Sequence, residues 1–184
     1  MWIITFKYRM TDIIRKNAFR NGAYLGIILI IFSSYIYFFN LKLLTNVWFG
    51  AVTILSTVFM GIVSIISSKS KLNGLISFKE SFSVYFFTIF TGSFILCIYL
   101  IILFSFVFTT EKIKIIEQIL MDFNLYIMKL NYSNKDDIAK SIQLSKSFDP
   151  SDPLIIVSSA VKYLLRDCLI GFLVALAFRS KKTI

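Results

Sequence analysis

From Phe82 to Phe108 the chain carries no charged side chain. In water such a stretch presents more apolar surface than a small fold can bury. In a bilayer it only has to satisfy its own backbone hydrogen bonds, and an α-helix does that within one segment. The run therefore reads as a membrane-spanning helix. It is longer than the hydrocarbon core demands, so it must tilt or project beyond it. Two earlier runs, 22–39 and 47–66, have the same character. Composition agrees: 57% of the residues are hydrophobic, against about 45–50% in soluble domains, and the mean hydropathy is +0.77.

A fourth run, 153–178, contains Lys162, Arg166 and Asp167. Its uninterrupted apolar part, Cys168 to Phe178, covers only about 16 Å of a core roughly 30 Å thick. To span, the helix must reach back past its charges. Counting from Arg179 at the interface, Asp167 falls about 18 Å deep, near the midplane, and Lys162 about 25 Å deep, within snorkelling reach of the far side. A midplane carboxylate costs about 2.5–3.5 kcal/mol on insertion scales, so it is expected to face other helices with a partner. Arg166 folding back, Lys162, Tyr163, a hydroxyl of another span or a partner chain are the candidates. The cores of the first three spans offer no Lys or Arg, which points to an assembly.

The connecting segments complete the expectation. Residues 1–20 hold Lys7, Arg9, Arg15, Lys16 and Arg20 against Asp12, with apolar residues between them. They read as a short amphipathic helix on the cytoplasmic interface, held by anionic headgroups. Gly22 and Gly26 form a GxxxG pair, and Gly61 belongs to a small-residue face in the second run; these and Gly171 are expected helix-packing positions. The 67–79 loop is basic, with an Asn73-Gly74 turn and a Ser77/Glu80 capping box opening the third span. In 109–152, Ile113, Ile116, Leu120, Phe123, Ile127 and Leu130 recur at helical spacing. Ser133 with Asp136 starts a second, shorter helix carrying Ile138 and Ile142, which makes an amphipathic hairpin. Asp152 caps the last helix, with Pro153 in its first turn. Lys and Arg are dense in the amino tail, the 67–79 loop and the carboxy tail, so both termini are expected in the cytoplasm and the hairpin outside. The fold class is all-α: an integral membrane bundle of four transmembrane helices with an extracytoplasmic helical hairpin between the third and fourth.

Several functions are disfavoured. The sequence has no His, the commonest general base and metal ligand. There is no phosphate loop, HExxH or CxxC motif, so no catalytic residue, metal or cofactor is expected. Cys97 and Cys168 read as small packing residues. The net charge of +10 sits beside membrane spans, where orientation and anionic lipid account for it better than nucleic acid.

The remaining chemistry lies in Lys162, Arg166 and Asp167. Ser158, Lys162 and Arg166 share one helix face, a candidate surface for an anionic lipid phosphate. Asp167 points about 100° away from Arg166, towards the side of Tyr163 and Gly171. It reads as one half of an ion pair holding an assembly together, or as a proton- or ion-coupling group.

Ile76-Ser77-Phe78-Lys79-Glu80-Ser81-Phe82 after a basic loop, and an Asp-Pro before a last helix with Asp167 four residues ahead of Gly171, resemble a known family. It is the bacterial inner-membrane family of domain of unknown function 4199, mostly from the Bacteroidota. The resemblance implies four helices with a periplasmic insertion before the last, in the inner (cytoplasmic) membrane. It also associates the chain with polyprenyl-phosphate sugar transferases. The expected function is that of a non-enzymatic accessory or scaffold subunit of a membrane complex handling lipid-linked sugars, with an integral membrane partner or a homo-oligomer. The alternative is a small oligomeric transporter or lipid flippase that uses the charges of the last helix.

Overall fold

The computed structural model describes residues 2–130 and 149–180. Helix α1, Trp2–Phe39, is followed by a 3-10 turn, Leu41–Thr45, and by α2, Val47–Lys71. Helix α3, Phe78–Ile102, runs on into a π-type turn, Leu103–Val107, and α4 is Thr110–Leu130. Helix α5 is Pro153–Phe178. Among the described residues there are no strands. Three segments have the length and composition to cross a membrane: Ile14–Phe39, Val47–Lys71 and Phe78–Val107. The protein is therefore a multi-pass membrane protein whose described residues form helices and turns alone.

Local chemistry fixes the helix ends. Asn46 caps α2, its side chain accepting from the backbone N–H of Trp48 at 2.9 Å and of Phe49 at 3.1 Å. Helix α2 continues to Lys71 because nothing breaks it before Asn73 and Gly74, whose φ of 54° and 80° end it. The loop expected over 67–79 is thus only the short turn between Lys71 and Phe78. The capping box forms: Ser77 Oγ accepts from the Glu80 N–H at 3.3 Å, and Glu80 Oε2 accepts from the Ser77 N–H at 2.8 Å. Asp152 accepts from the Leu154 N–H at 2.9 Å, with Pro153 in the first turn.

Helix α1 corrects one expectation. Residues 1–20 do not form a separate interfacial helix; the helix is continuous from Trp2 into the span. The stretch contains no Gly or Pro before Gly22. Ile14, Asn17, Ala18 and Asn21 are buried in the bundle, so the packed part of α1 begins about two turns before the apolar run at Gly22.

Helix α3 is the axis. It packs against α1, α2 and α5, and α2 also touches α1 and α5. The α1–α3 contact is close because glycines line it. A Cβ on Gly22 would stand 2.6 Å from Thr91 Cβ and 2.8 Å from the Thr88 carbonyl oxygen. Gly26 and Gly92 narrow the same interface, facing Ile95 and Leu25. Helix α5 runs antiparallel along α3: Phe172 meets Phe78 with ring centroids 5.2 Å apart at one end, and Ile156 joins the cluster of Phe104 at the other.

Helix α4 lies over the end of the bundle, touching the 3-10 turn. Ile116 is buried with Phe104 and Ile156, and Leu120 packs beside them. Phe123 is half-buried, but Ile127 is 37% exposed, so the expected apolar face loses its cover towards Leu130. The second hairpin helix, with Ser133, Asp136, Ile138 and Ile142, lies outside the described residues.

Because the Thr88 carbonyl of α3 cannot withdraw from a side chain at position 22, Gly22→Ile is expected to separate α1 from α3. The cost should be about 1–3 kcal/mol, read as a lower midpoint of thermal unfolding in detergent.

Candidate functional site

Asp167 is 4% exposed on the α3-facing side of α5. Backbone geometry points Arg166 about 100° away, yet its guanidinium curls back. Arg166 Nη2 stands 2.8 Å and Nε 2.9 Å from the same oxygen, Asp167 Oδ1. The guanidinium carbon also lies 5.2 Å from the centre of the Tyr163 ring, a cation–π distance. The carboxylate is therefore neutralised inside its own helix. Of the expected candidates, it is Arg166 folding back that supplies the partner.

The expected Ser158, Lys162 and Arg166 face is divided by this arrangement. Ser158 and Lys162 are exposed, and the Ser158 hydroxyl donates to the Ile155 carbonyl of its own helix at 3.0 Å. Arg166 turns towards the cavity instead, which Ser159 and the largely exposed Tyr163 also border.

These groups face a partly open cavity of about 700 Å³ lined by the five described helices, with α4 on its outer side. Its walls are mostly aliphatic and aromatic: Leu29, Ile36, Ile54, Leu96, Leu100 and Phe104 are among them. Arg166 and Asp167 form the floor with Thr57 and Ser93, while Glu117 and Asn124 come down from α4. Pockets of roughly 300–1,000 Å³ with apolar walls and a few placed polar groups are the usual form of small-molecule sites. Cys97 lines this cavity, and both thiols are free. Among the described residues no group of three or more His, Cys, Asp or Glu is placed to hold a metal.

Below the floor, Tyr85 of α3 locks the three helices together. Its ring slots between Gly61 of α2 and Gly171 of α5, and a Cβ on either glycine would collide with an opposite edge of the ring. Tyr85 is 1% exposed, and its hydroxyl has no partner among the described residues. Towards the basic end follows a buried polar cluster. Asn21 Nδ2 donates to Ser64 Oγ at 3.2 Å, and Thr88 Oγ1 lies 2.7 Å from that same oxygen.

Sequence reasoning missed Tyr85, Asn17, Asn21, Ser68 and Thr88. A signal existed on α3, where Ser81, Tyr85, Thr88 and Gly92 recur every three or four residues within an otherwise lipid-like run.

Residues 20–180 match the family described as Protein of unknown function (DUF4199). The chain belongs to that family. The resemblance carried by residues 76–82 and by Asp167 and Gly171 is thereby borne out. No curated protein and no solved structure matches the chain. In this DUF4199 member the matched region includes all of the cavity-lining residues.

The ion pair is unequally buried, with the Arg166 side chain 40% exposed against 5% for Asp167. Arg166→Leu leaves a buried carboxylate alone and is expected to cost about 3 kcal/mol. Asp167→Asn frees an arginine whose long stem can carry its charge towards the open end of the cavity, and should cost less, about 1 kcal/mol. Thermal unfolding of the two variants side by side checks the order; an equal or reversed order contradicts it.

Proposed function

We propose that this DUF4199 chain is a four-span, non-enzymatic protein of the inner membrane that holds the apolar tail of a membrane amphiphile in its cavity. It would act as an accessory subunit presenting that amphiphile to a partner in a membrane complex. Lipid-linked sugars, which carry long apolar tails, fit this role. The observation that carries the reading is the cavity itself: apolar walls, a roof helix and a floor whose two charges cancel. Such a floor favours an uncharged group at the inner end of the ligand. The non-enzymatic part rests on the sequence, which has no His to serve as general base.

The fourth span is supported by α5 running beside α3 from Phe172 at Phe78 to Ile156 at Phe104. If α3 crosses the bilayer, α5 crosses with it. Topology follows from charge. Arg15, Lys16, Arg20, Lys69, Lys71, Lys79 and Arg179 belong to the bundle end at which Ser180 bonds to the 74–76 turn. The positive-inside rule makes that end cytoplasmic and puts both termini there, with α4 and the rest of the hairpin outside. A membrane-impermeant thiol reagent on cysteine-free protein should label Ser133→Cys in intact cells and leave Ser70→Cys unlabelled. The opposite pattern ends this topology.

A lipid flippase is the second reading. It is favoured by the line of buried hydroxyls Ser68, Ser64 and Thr57 on α2, which leads from the basic end to the cavity floor. Gly50 lines the cavity, and a side chain added there meets nothing within 4 Å. Gly50→Trp should therefore obstruct the cavity without unfolding the bundle. Mass spectrometry of the protein purified in mild detergent is expected to find a stoichiometric amphiphile, retained several-fold less by this variant. If wild type and variant retain the same lipids, the cavity is not the binding site. Lipid exchange between leaflets of reconstituted vesicles favours the flippase; its absence favours the subunit.

A further inference from the structure

The basic end of the bundle carries a cluster that neither the cavity nor the ion pair uses. Asn17, 1% exposed, stands where α1 meets the last turns of α2. Its Nδ2 donates to Ser68 Oγ at 2.8 Å and to the Ser64 carbonyl at 3.1 Å. Those bonds fix the amide so that Oδ1 faces outward, and three donors converge on it. Lys71 Nζ is 2.8 Å away, Arg20 Nη2 3.2 Å and Ser67 Oγ 3.2 Å.

Two cations thus meet on one neutral oxygen. An amide carbonyl has no net charge with which to offset their repulsion. Among the described residues neither cation forms an ion pair with a carboxylate. Both are solvent-exposed, and both have spare donors, since a guanidinium carries five N–H groups and an ammonium three. A planar fork and a compact cation around one point suit the oxygens of a phosphate, and the Ser67 hydroxyl can turn its single O–H from Asn17 to a third oxygen.

The depth is also that of phosphates. From Gly22 to Phe39 helix α1 covers about 27 Å, close to the thickness of the hydrocarbon core, so Arg20 emerges at headgroup level. On α2, Lys71 lies about 7 Å beyond Ile66, at the same level.

We infer that Arg20, Lys71 and Ser67 form a binding site for one phosphate group, with Asn17 as the residue that positions them. The phosphate belongs either to the headgroup of an anionic phospholipid or to a free inorganic anion. The site is distinct from general basicity: Arg15 and Lys16 are exposed on the same helix, but Arg15 leans on the Phe19 ring at 5.7 Å and neither bonds to Asn17. It also stands independently of the cavity, so Gly50→Trp should leave it intact.

The test uses the full chain in phosphatidylcholine nanodiscs, with phosphatidylglycerol in the bilayer or inorganic phosphate in solution. Thermal unfolding midpoint and lipid retention in native mass spectrometry are read. Either anion should raise the midpoint; a response only to phosphatidylglycerol makes the lipid the source, and a response to inorganic phosphate makes it the free ion. Arg20→Gln/Lys71→Gln should bind about tenfold more weakly. Arg15→Gln/Lys16→Gln removes the same charge and should bind as the wild type does. Ser67→Ala keeps both cations and should weaken binding about threefold, which gives a reading if the double variant folds poorly. If neither anion raises the midpoint, or if the two double variants behave alike, the site does not exist.

Discussion

The ring of Tyr85 lies across the narrowest place in the bundle. On one edge it meets Gly61 of α2 and on the other Gly171 of α5. Without side chains at these two positions, α2 and α5 close onto α3 at the same level. Lipid tails are as apolar as the side chains they would replace, so helices in a bilayer associate through shape and close approach more than through water exclusion. The glycine contacts between α1 and α3 obey the same rule. The tight level also sets the depth of the cavity. On one side of it lies the buried polar cluster, and on the other the cavity, where α1 and α3 stay in contact and α4 covers the opening.

The basic end and the middle of the bundle solve the problem of interior polar groups differently. Towards the basic end, Asn17, Asn21, Ser64, Ser68 and Thr88 satisfy one another through hydrogen bonds between helices. These bonds add specificity to an interface that packing alone would leave free to slide. In the middle, Arg166 and Asp167 form a closed pair on one helix and need nothing from a neighbour. The interior is therefore polar at intervals, and each polar group except the Tyr85 and Ser81 hydroxyls has a partner among the described residues.

Much of the framework was legible because its signals are local. The Ser77/Glu80 box, the Asp152-Pro153 start and the Asn73-Gly74 turn are each set by residues within one turn of each other, and each forms. The limits of the last helix, 153–178, were legible for the same reason. The unread features depend on proximity across the fold. A basic amino-terminal stretch looks like a surface helix until Ser64 and Ser68 are seen opposite Asn17. Tyr85 looks like any aromatic residue in a lipid-facing run until two glycines from other helices flank it. Arg166 and Asp167 point apart on a helical wheel, and only the length and flexibility of the arginine stem lets them meet. Among the candidate partners for Asp167, Arg166 folding back is the one that forms.

The adjacency of those two residues reaches back to how the protein enters its membrane. A pair of charges on different helices is neutralised only after both helices have met, so each must first cross the bilayer exposed. Arg166 and Asp167 are next to each other in the chain and bonded within α5. If α5 is the fourth span, as proposed, the helix brings its counter-ion with it, and its carboxylate is compensated before α3 is reached. On that reading its insertion is uncoupled from bundle assembly, and α5 can wait in the lipid for its place beside Tyr85.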